Sequence, residues 1–260
     1  MLKSKTSFQG QKKSLKRFSN FVMRLKRLEY QNGIQSAGIE LFMQEQSTHM
    51  KIEIWSDVIC PWCYIGKRRF EMALADFAHR DDVQVIWRSF ELDTQAPRQQ
   101  PGTLEEMLAR KYGVSPQEAA AMNARVSGIA AEIGLVYHLE NARPGNTFDA
   151  HRLLHFAASR QLGDRATERI MHAYFSEALP VGDRAALARL APEFGITESA
   201  ALAMLESDVY SDAVRADEAR AAAFGISGVP FFVFDEKSGV SGAQPVEVFA
   251  EALQQAGEIA

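Results

Sequence analysis

Cys60 and Cys63 are the only cysteines in the chain, and they stand in the run Cys60-Pro61-Trp62-Cys63. If a helix begins at Cys60, positions i and i+3 share a face, so the two sulfurs can meet. Such a pair can shuttle between dithiol and disulfide, the attacking species being a thiolate. A sulfur at a helix start lies near unpaired N–H groups and the positive end of the helix dipole, which favour the thiolate at Cys60. Cys63, one turn further in, is expected to be more buried and to stay a thiol until it resolves a mixed disulfide formed by Cys60. Metal binding and inert packing are the alternatives. Zinc needs four ligands, or three and a water. The chain has no second Cys pair, and His151 and His155, at i, i+4 spacing, lie far along the sequence. Haem attachment requires a histidine where Tyr64 stands. No metal site is expected.

The elements that must position these sulfurs can be read around them. Lys51-Ile52-Glu53-Ile54-Trp55 alternates polar and apolar residues and predicts a strand. Ser56 to Ile59 is the loop after it. Pro61 suits the first helical position, and the helix is expected to reach about His79. Val83 to Phe90 predicts a second strand. The unit is βαβ, with the cysteines at the carboxyl end of the first strand, where such folds place their sites. Helices are then expected from Thr103 to near Gly113 and from the capping box Ser115-Pro116-Gln117-Glu118 to about Gly134. Others run from Asn146 to near Gly163, Asp164 to Leu179, Asp183 to Phe194, Thr197 to Glu206 and Asp208 to Phe224. Phe231 to Phe234 is a buried-type strand, Val240-Ser241-Gly242 a weak one, and Pro245 opens a final helix. Pro230, after Ser227-Gly228 and before a strand, fits a tight turn. The expected fold class is α/β, a split βαβ and ββα with helices inserted between its halves.

The chain has 260 residues and a formal net charge of −4, but the charge is unevenly placed. Residues 1–28 carry nine Lys or Arg and no acid, whereas from Lys51 onward 20 basic residues face 30 acidic ones. The acidic body is a poor candidate for binding nucleic acid. Basic residues in the leader are six Lys and three Arg, and in 51–260 four Lys and sixteen Arg. This shift suggests a segment of different origin. Residues 1–50 are read as a disordered basic extension, with Met50 the natural start of the fold; a targeting leader or a membrane- or nucleic-acid-binding tail are the alternatives. No stretch approaches the roughly 18–20 apolar residues of a membrane helix, and Phe21-Val22-Met23 is too short for a secretory core. The expected setting is cytoplasmic and reducing, where a cysteine pair is catalytic or metal-binding rather than structural.

Four separated motifs together resemble the DsbA-like branch of the thioredoxin superfamily, and within it the FrnE-like group. They are Ser56-Asp57-Val58-Ile59-Cys60-Pro61-Trp62-Cys63-Tyr64-Ile65-Gly66-Lys67, Asn146-Thr147 through His151-Arg152-Leu153, Gly228-Val229-Pro230-Phe231-Phe232, and Ser241-Gly242-Ala243-Gln244. The resemblance covers about residues 50–256. It implies a thioredoxin-like fold with an inserted all-helical domain: residues 51–102 and 208–260 form the two parts of the thioredoxin-like domain, and 103–207 the insertion. It implies Cys60 and Cys63 as catalytic residues and Pro61, Trp62, Val229 and Pro230 as substrate-binding ones. It also implies that Pro230 follows a cis peptide bond and faces the cysteines, leaving the backbone of Val229 free to pair with an extended substrate.

Other residues keep two readings each. Asp57 either relays protons for Cys63 or caps its loop, the cap being favoured. Trp62 offers substrate an apolar contact or shields the site. His151 of the Asn146–His151 motif faces the cleft or is a satisfied interior histidine. Gly242-Ala243-Gln244 meets a substrate carboxylate or, as favoured, only opens a helix. Lys67, Arg68 and Arg69 read as a solvated face, and His138, His155 and His172 as structural residues. The resemblance implies a thiol–disulfide oxidoreductase acting as reductase or isomerase on disulfide-containing proteins or peptides. No tightly bound cofactor is expected, with glutathione a candidate redox partner. The alternative is a glutathione-dependent small-molecule isomerase or transferase of the hydroxychromene carboxylate isomerase or kappa type. Those relatives typically carry serine at the attacking position, and the paired cysteines argue against that reading. A third possibility is a non-catalytic redox sensor, which cysteine spacing does not distinguish from an enzyme.

Overall fold

The structure is a computed structural model that describes residues 50–258. The expected basic extension lies outside the described residues up to Met50, which is buried, opens the first strand and pairs with Val83. That strand, β1 (Met50–Ser56), runs parallel to β2 (Val83–Ser89) and antiparallel to β3 (Phe231–Phe234), which in turn pairs antiparallel with β4 (Ser238–Ser241). The sheet order is β2-β1-β3-β4. This is the sheet expected from the split pattern, and it is the thioredoxin-like arrangement that the resemblance implies.

As a central strand, β1 is covered on both faces, so its alternation separates two interiors rather than core from solvent. Ile52 and Ile54 face α1 (Pro61–Ala75) and α9 (Val246–Gly257) through Phe70, Phe232 and Phe249. The Phe232 and Phe249 rings are 4.6 Å apart at 66°, and Phe70 lies 5.5 Å from Phe232. Burying each such ring is worth about 2 kcal/mol. Trp55 points the other way, donating from Nε1 to the Asp217 carbonyl at 2.9 Å. Glu53, buried on that face, accepts from Arg88 at 2.8 Å and from Arg220 at 2.7 Å. Burial works to raise its carboxyl, but the hydrogen bonds from Arg220 and Arg88 outweigh it and hold the group below its usual value.

The insertion comprises α2 (Leu104–Tyr112), α3 (Pro116–Ala131), α4 (Phe148–Ala158), α5 (Gly163–Glu177), α6 (Arg184–Leu190) and α7 (Glu198–Glu206); α8 (Ser211–Ala223) then returns to the sheet. Thr103–Glu106 and Ser115–Glu118 are reciprocal capping boxes. Four helices end at least three residues earlier than the sequence predicts. The first stops at Ala75 rather than near His79, α3 at Ala131 rather than Gly134, α4 at Ala158 rather than near Gly163, and α6 at Leu190 rather than Phe194. In the last case Pro192 has no N–H to continue the ladder, and a 3-10 turn, Ala191–Phe194, follows. The inserted helices do not pack apart from the site: Val58, Cys60, Cys63, Tyr64 and Ile65 share one core with Leu153, Tyr174 and Phe175.

Candidate active site

Cys60 is the N-cap of α1, and Pro61 occupies the first turn without wasting a donor. The amides of Cys63 and Tyr64 donate to the Cys60 carbonyl at 3.0 and 3.4 Å, closing the turn that brings the cysteines to 3.4 Å from each other. Both are free thiols. Cys60 is only 5% exposed, less open than its place at a helix start suggests, yet it lines a cavity of about 880 Å³. Cys63 is 1% exposed and lies behind it. Burial pushes the Cys63 thiol well up, and its neighbour Cys60 adds to the effect; the Ser56 hydroxyl and the Asp57 backbone act the other way. One sulfur therefore meets the cavity while its neighbour is held protonated.

Opposite the cysteines is the turn before β3. The Val229–Pro230 peptide bond is cis. Cys60 Sγ donates to the Val229 carbonyl at 3.8 Å, and Gly242 N donates to the Pro230 carbonyl at 2.8 Å. Gly66 makes the close approach feasible, since a Cβ there would stand 2.9 Å from Pro230 Cγ. Pro61, Trp62 and Val229 line the same cavity as Cys60, and the Trp62 ring is exposed.

Asp57 is fully buried. Its carbonyl accepts from Cys60 N at 3.1 Å and its Oδ2 accepts from Leu92 N at 2.7 Å. Its side chain thus ties this loop to a distant one beyond β2 rather than capping its own, where only the backbone carbonyl is engaged. Its Oδ1 lies 3.5 Å from Nε2 of buried His151, and neither atom has a hydrogen-bond partner; nor has Ser56 Oγ. His151 is interior and does not line the large cavity; it lines a second one of about 400 Å³ with Ser56, Ser89 and His155. Asn146 stays away from the sulfurs: its Oδ1 accepts from Phe148 N at 3.0 Å at the start of α4, and its Nδ2 donates to Glu91 at 3.2 Å. Gln244 turns its amide to the Ser241 carbonyl at 2.8 Å, in the turn before α9.

Lys67 corrects the expected solvated face. It is buried, and its ammonium donates to Glu71 and, at 2.7 Å, to Glu168 on α5. Arg68 also donates to Glu168, at 2.8 Å, and Arg69 to the Ala243 carbonyl at 2.8 Å. The three cations fasten α1 to the insertion and to the β4–α9 turn. Sequence reasoning missed Tyr137, whose hydroxyl donates to the Pro61 carbonyl at 2.9 Å while its ring stacks on Phe175 at 4.5 Å. It also missed the contribution of α2 and α3, which wall the large cavity through Met107, Tyr112 and Met122. Among the described residues, no three of His, Cys, Asp or Glu converge so as to hold a metal ion, and no helix is long and apolar enough to cross a membrane.

Comparison with known proteins places these features in a family. Residues 51–254 match the family model of the DSBA-like thioredoxin domain. A crystal structure of a probable DsbA oxidoreductase from Streptomyces coelicolor, SCO1869, is 45% identical, with a TM-score of 0.78 over 81% of this chain and 91% of that one. YwbO, an uncharacterized protein of Bacillus subtilis (strain 168), is 28% identical over 78% of this chain and 94% of its own. The cytosolic disulfide reductase DsbM from Pseudomonas aeruginosa shares the fold at 18% identity, with a TM-score of 0.53 over 81% of this chain and all of that one.

Proposed function

The chain belongs to the family of DSBA-like thioredoxin domains, and from that premise we propose that it exchanges disulfides with peptide or protein substrates through Cys60 and Cys63, as a reductase or isomerase. The observation that carries the reading is the asymmetry of the pair. The two cysteines are 3.4 Å apart, but only Cys60 lines the large cavity, with the Val229–Pro230 turn against it.

In this scheme the Cys60 thiolate attacks one sulfur of a substrate disulfide and the other leaves as a thiol, giving a mixed disulfide. Cys63 then loses its proton and attacks Cys60 Sγ, releasing the second substrate thiol and leaving a Cys60–Cys63 disulfide. Two electrons and two protons pass to the substrate. Glutathione, as a thiol reductant, returns the pair to the dithiol, and no tightly bound cofactor enters. Pro61, Trp62 and Val229 form the substrate-facing surface, with buried Pro230 behind Val229. Asp57 holds the loop and serves Cys63, and His151 positions Asp57. Asn146 and Gln244 act only in support, by setting α4 and the turn before α9. The two thioredoxin-like parts, 51–102 and 208–260, supply the sulfurs and the cis-proline, and the insertion, 103–207, roofs them. A reducing cytoplasm suits a reductase or isomerase better than a net oxidant.

Insulin-disulfide reduction tests the reading: the wild-type chain should accelerate it and Cys60→Ser should not. Undiminished turnover by Cys60→Ser would refute the assignment; glutathione binding that survives loss of both thiols would favour a glutathione-dependent isomerase or transferase instead.

A further inference from the structure

The cavity beside Cys60 carries more chemistry than disulfide exchange requires. Seven large apolar side chains are exposed among the described residues, and four of them, Trp62, Leu92, Tyr112 and Met122, stand around this one cavity, each 39–56% exposed. Such a concentration marks a surface that meets a partner. A small ligand that only filled the cavity would leave these rim side chains in water. A chain segment crossing the mouth would cover them.

The charges around the cavity are equally uneven. Arg110, Lys111 and Arg125 line it against a single carboxylate, Asp93. All three cations are exposed, and among the described residues none of them is in an ion pair. They sit on a body that bears 30 acidic and 20 basic residues from Lys51 onward. The cations lie on α2 and α3, beside apolar walls that include the unbranched, adaptable Met107 and Met122.

We propose that α2 and α3 form a selective substrate groove, which takes an extended peptide segment whose reactive cysteine is flanked by apolar residues and by Asp or Glu. The inference rests on the oxidoreductase reading above and names its substrate class. The apolar flanks cover Trp62, Leu92, Tyr112 and Met122, and the acidic residues meet Arg110, Lys111 and Arg125. The redox step is unchanged: the dithiol gives two electrons and two protons to the peptide disulfide, leaving two peptide thiols and the Cys60–Cys63 disulfide.

Single-turnover reduction by the prereduced full chain tests it. Three symmetric disulfide peptides are compared: one with apolar and Asp flanks, one with the same apolar residues and Lys flanks, and one with Asp flanks and Ser in the apolar places. The first should react about tenfold faster than the second at low ionic strength, and the gap should close as salt is raised. The third should be slower than the first. In the triple variant R110E/K111E/R125E the charge preference should reverse, and in Tyr112→Ser/Met122→Ser the two apolar peptides should slow together with their ratio kept. Reduction of insulin by the wild type with equal rates for all three peptides would overturn the groove and spare the oxidoreductase. A charge preference that persists in the triple variant would do the same. Failure to reduce insulin or any of the peptides would overturn both.

Discussion

Asp57 Oδ1 and His151 Nε2 face each other at 3.5 Å inside the protein, each without another hydrogen-bond partner, at the root of the loop that ends in Cys60. Buried polar atoms are rarely left unpaired without a reason. Burial holds the Cys63 sulfur as a thiol, resolution of a mixed disulfide requires that proton to leave, and Asp57 Oδ1 is an unpaired buried acceptor in the same loop. Asp57→Asn can keep an oxygen for Leu92 N but loses the charged acceptor. It should slow release of product from the mixed disulfide by tenfold or more while leaving the first attack by Cys60 near its normal rate. Stopped-flow fluorescence separates the two phases. Resolution at the wild-type rate would leave Asp57 only its part in pinning the loop.

Cys63 also links stability to alkaline pH. In the fold its thiol is held protonated, its value raised by burial and by Cys60, whereas in the unfolded chain it ionises near the ordinary value of about 8.5. The reduced protein should therefore lose stability as pH rises past that value, until the folded-state thiol itself ionises. Cys63→Ala should flatten this part of the curve. Denaturant unfolding of both forms across the alkaline range measures it.

Acid acts through a different group. Glu53 is held below its usual value because Arg220 and Arg88 outweigh the cost of burial. Its contribution is present above the unfolded value of about 4.3 and disappears as pH falls through the lower folded value. Glu53→Gln should cost about 2 kcal/mol at neutral pH, since it leaves two arginines facing a neutral amide, and the loss should shrink at low pH. Equal destabilisation of the variant at acid and neutral pH would contradict the assignment.

Gly66 tests the packing between α1 and the turn before β3. A methyl group at this position would meet Pro230 Cγ at 2.9 Å. Gly66→Ala should destabilise the protein by about 1–3 kcal/mol and slow insulin reduction more than it slows reaction of Cys60 with a small alkylating reagent. Unchanged kinetics and melting temperature would show that the turn yields without consequence.

The cysteine motif, the strand before it and the capping box at Ser115 were legible because each rests on local chemistry: a proline at a helix start, alternation, a Ser three residues before Glu. Lys67 was misread because a lysine followed by two arginines looks solvated until Glu168, a hundred residues on, is folded against it. The second face of β1 was hidden for a similar reason, since Glu53 reads as an outward residue until Arg88 and Arg220 arrive from β2 and α8. His151 and Asn146 were marked by a motif, but only the tertiary structure separates them, one against Asp57 and the other bonded to Phe148 N in the turn that enters α4. The walls of the large cavity, Tyr112 and Met122 among them, lie on surface helices, and nothing in their own periodicity points to Cys60.

The division of labour between the two sulfurs can be tested by trapping. With Cys63→Ala, incubation with an oxidised peptide substrate should accumulate a mixed disulfide joined through Cys60, visible as a mass increase that a reductant removes. With Cys60→Ser, no such adduct should form at Cys63, which is enclosed. An adduct on Cys63 in the absence of Cys60, or none on Cys60 in the absence of Cys63, would contradict the account.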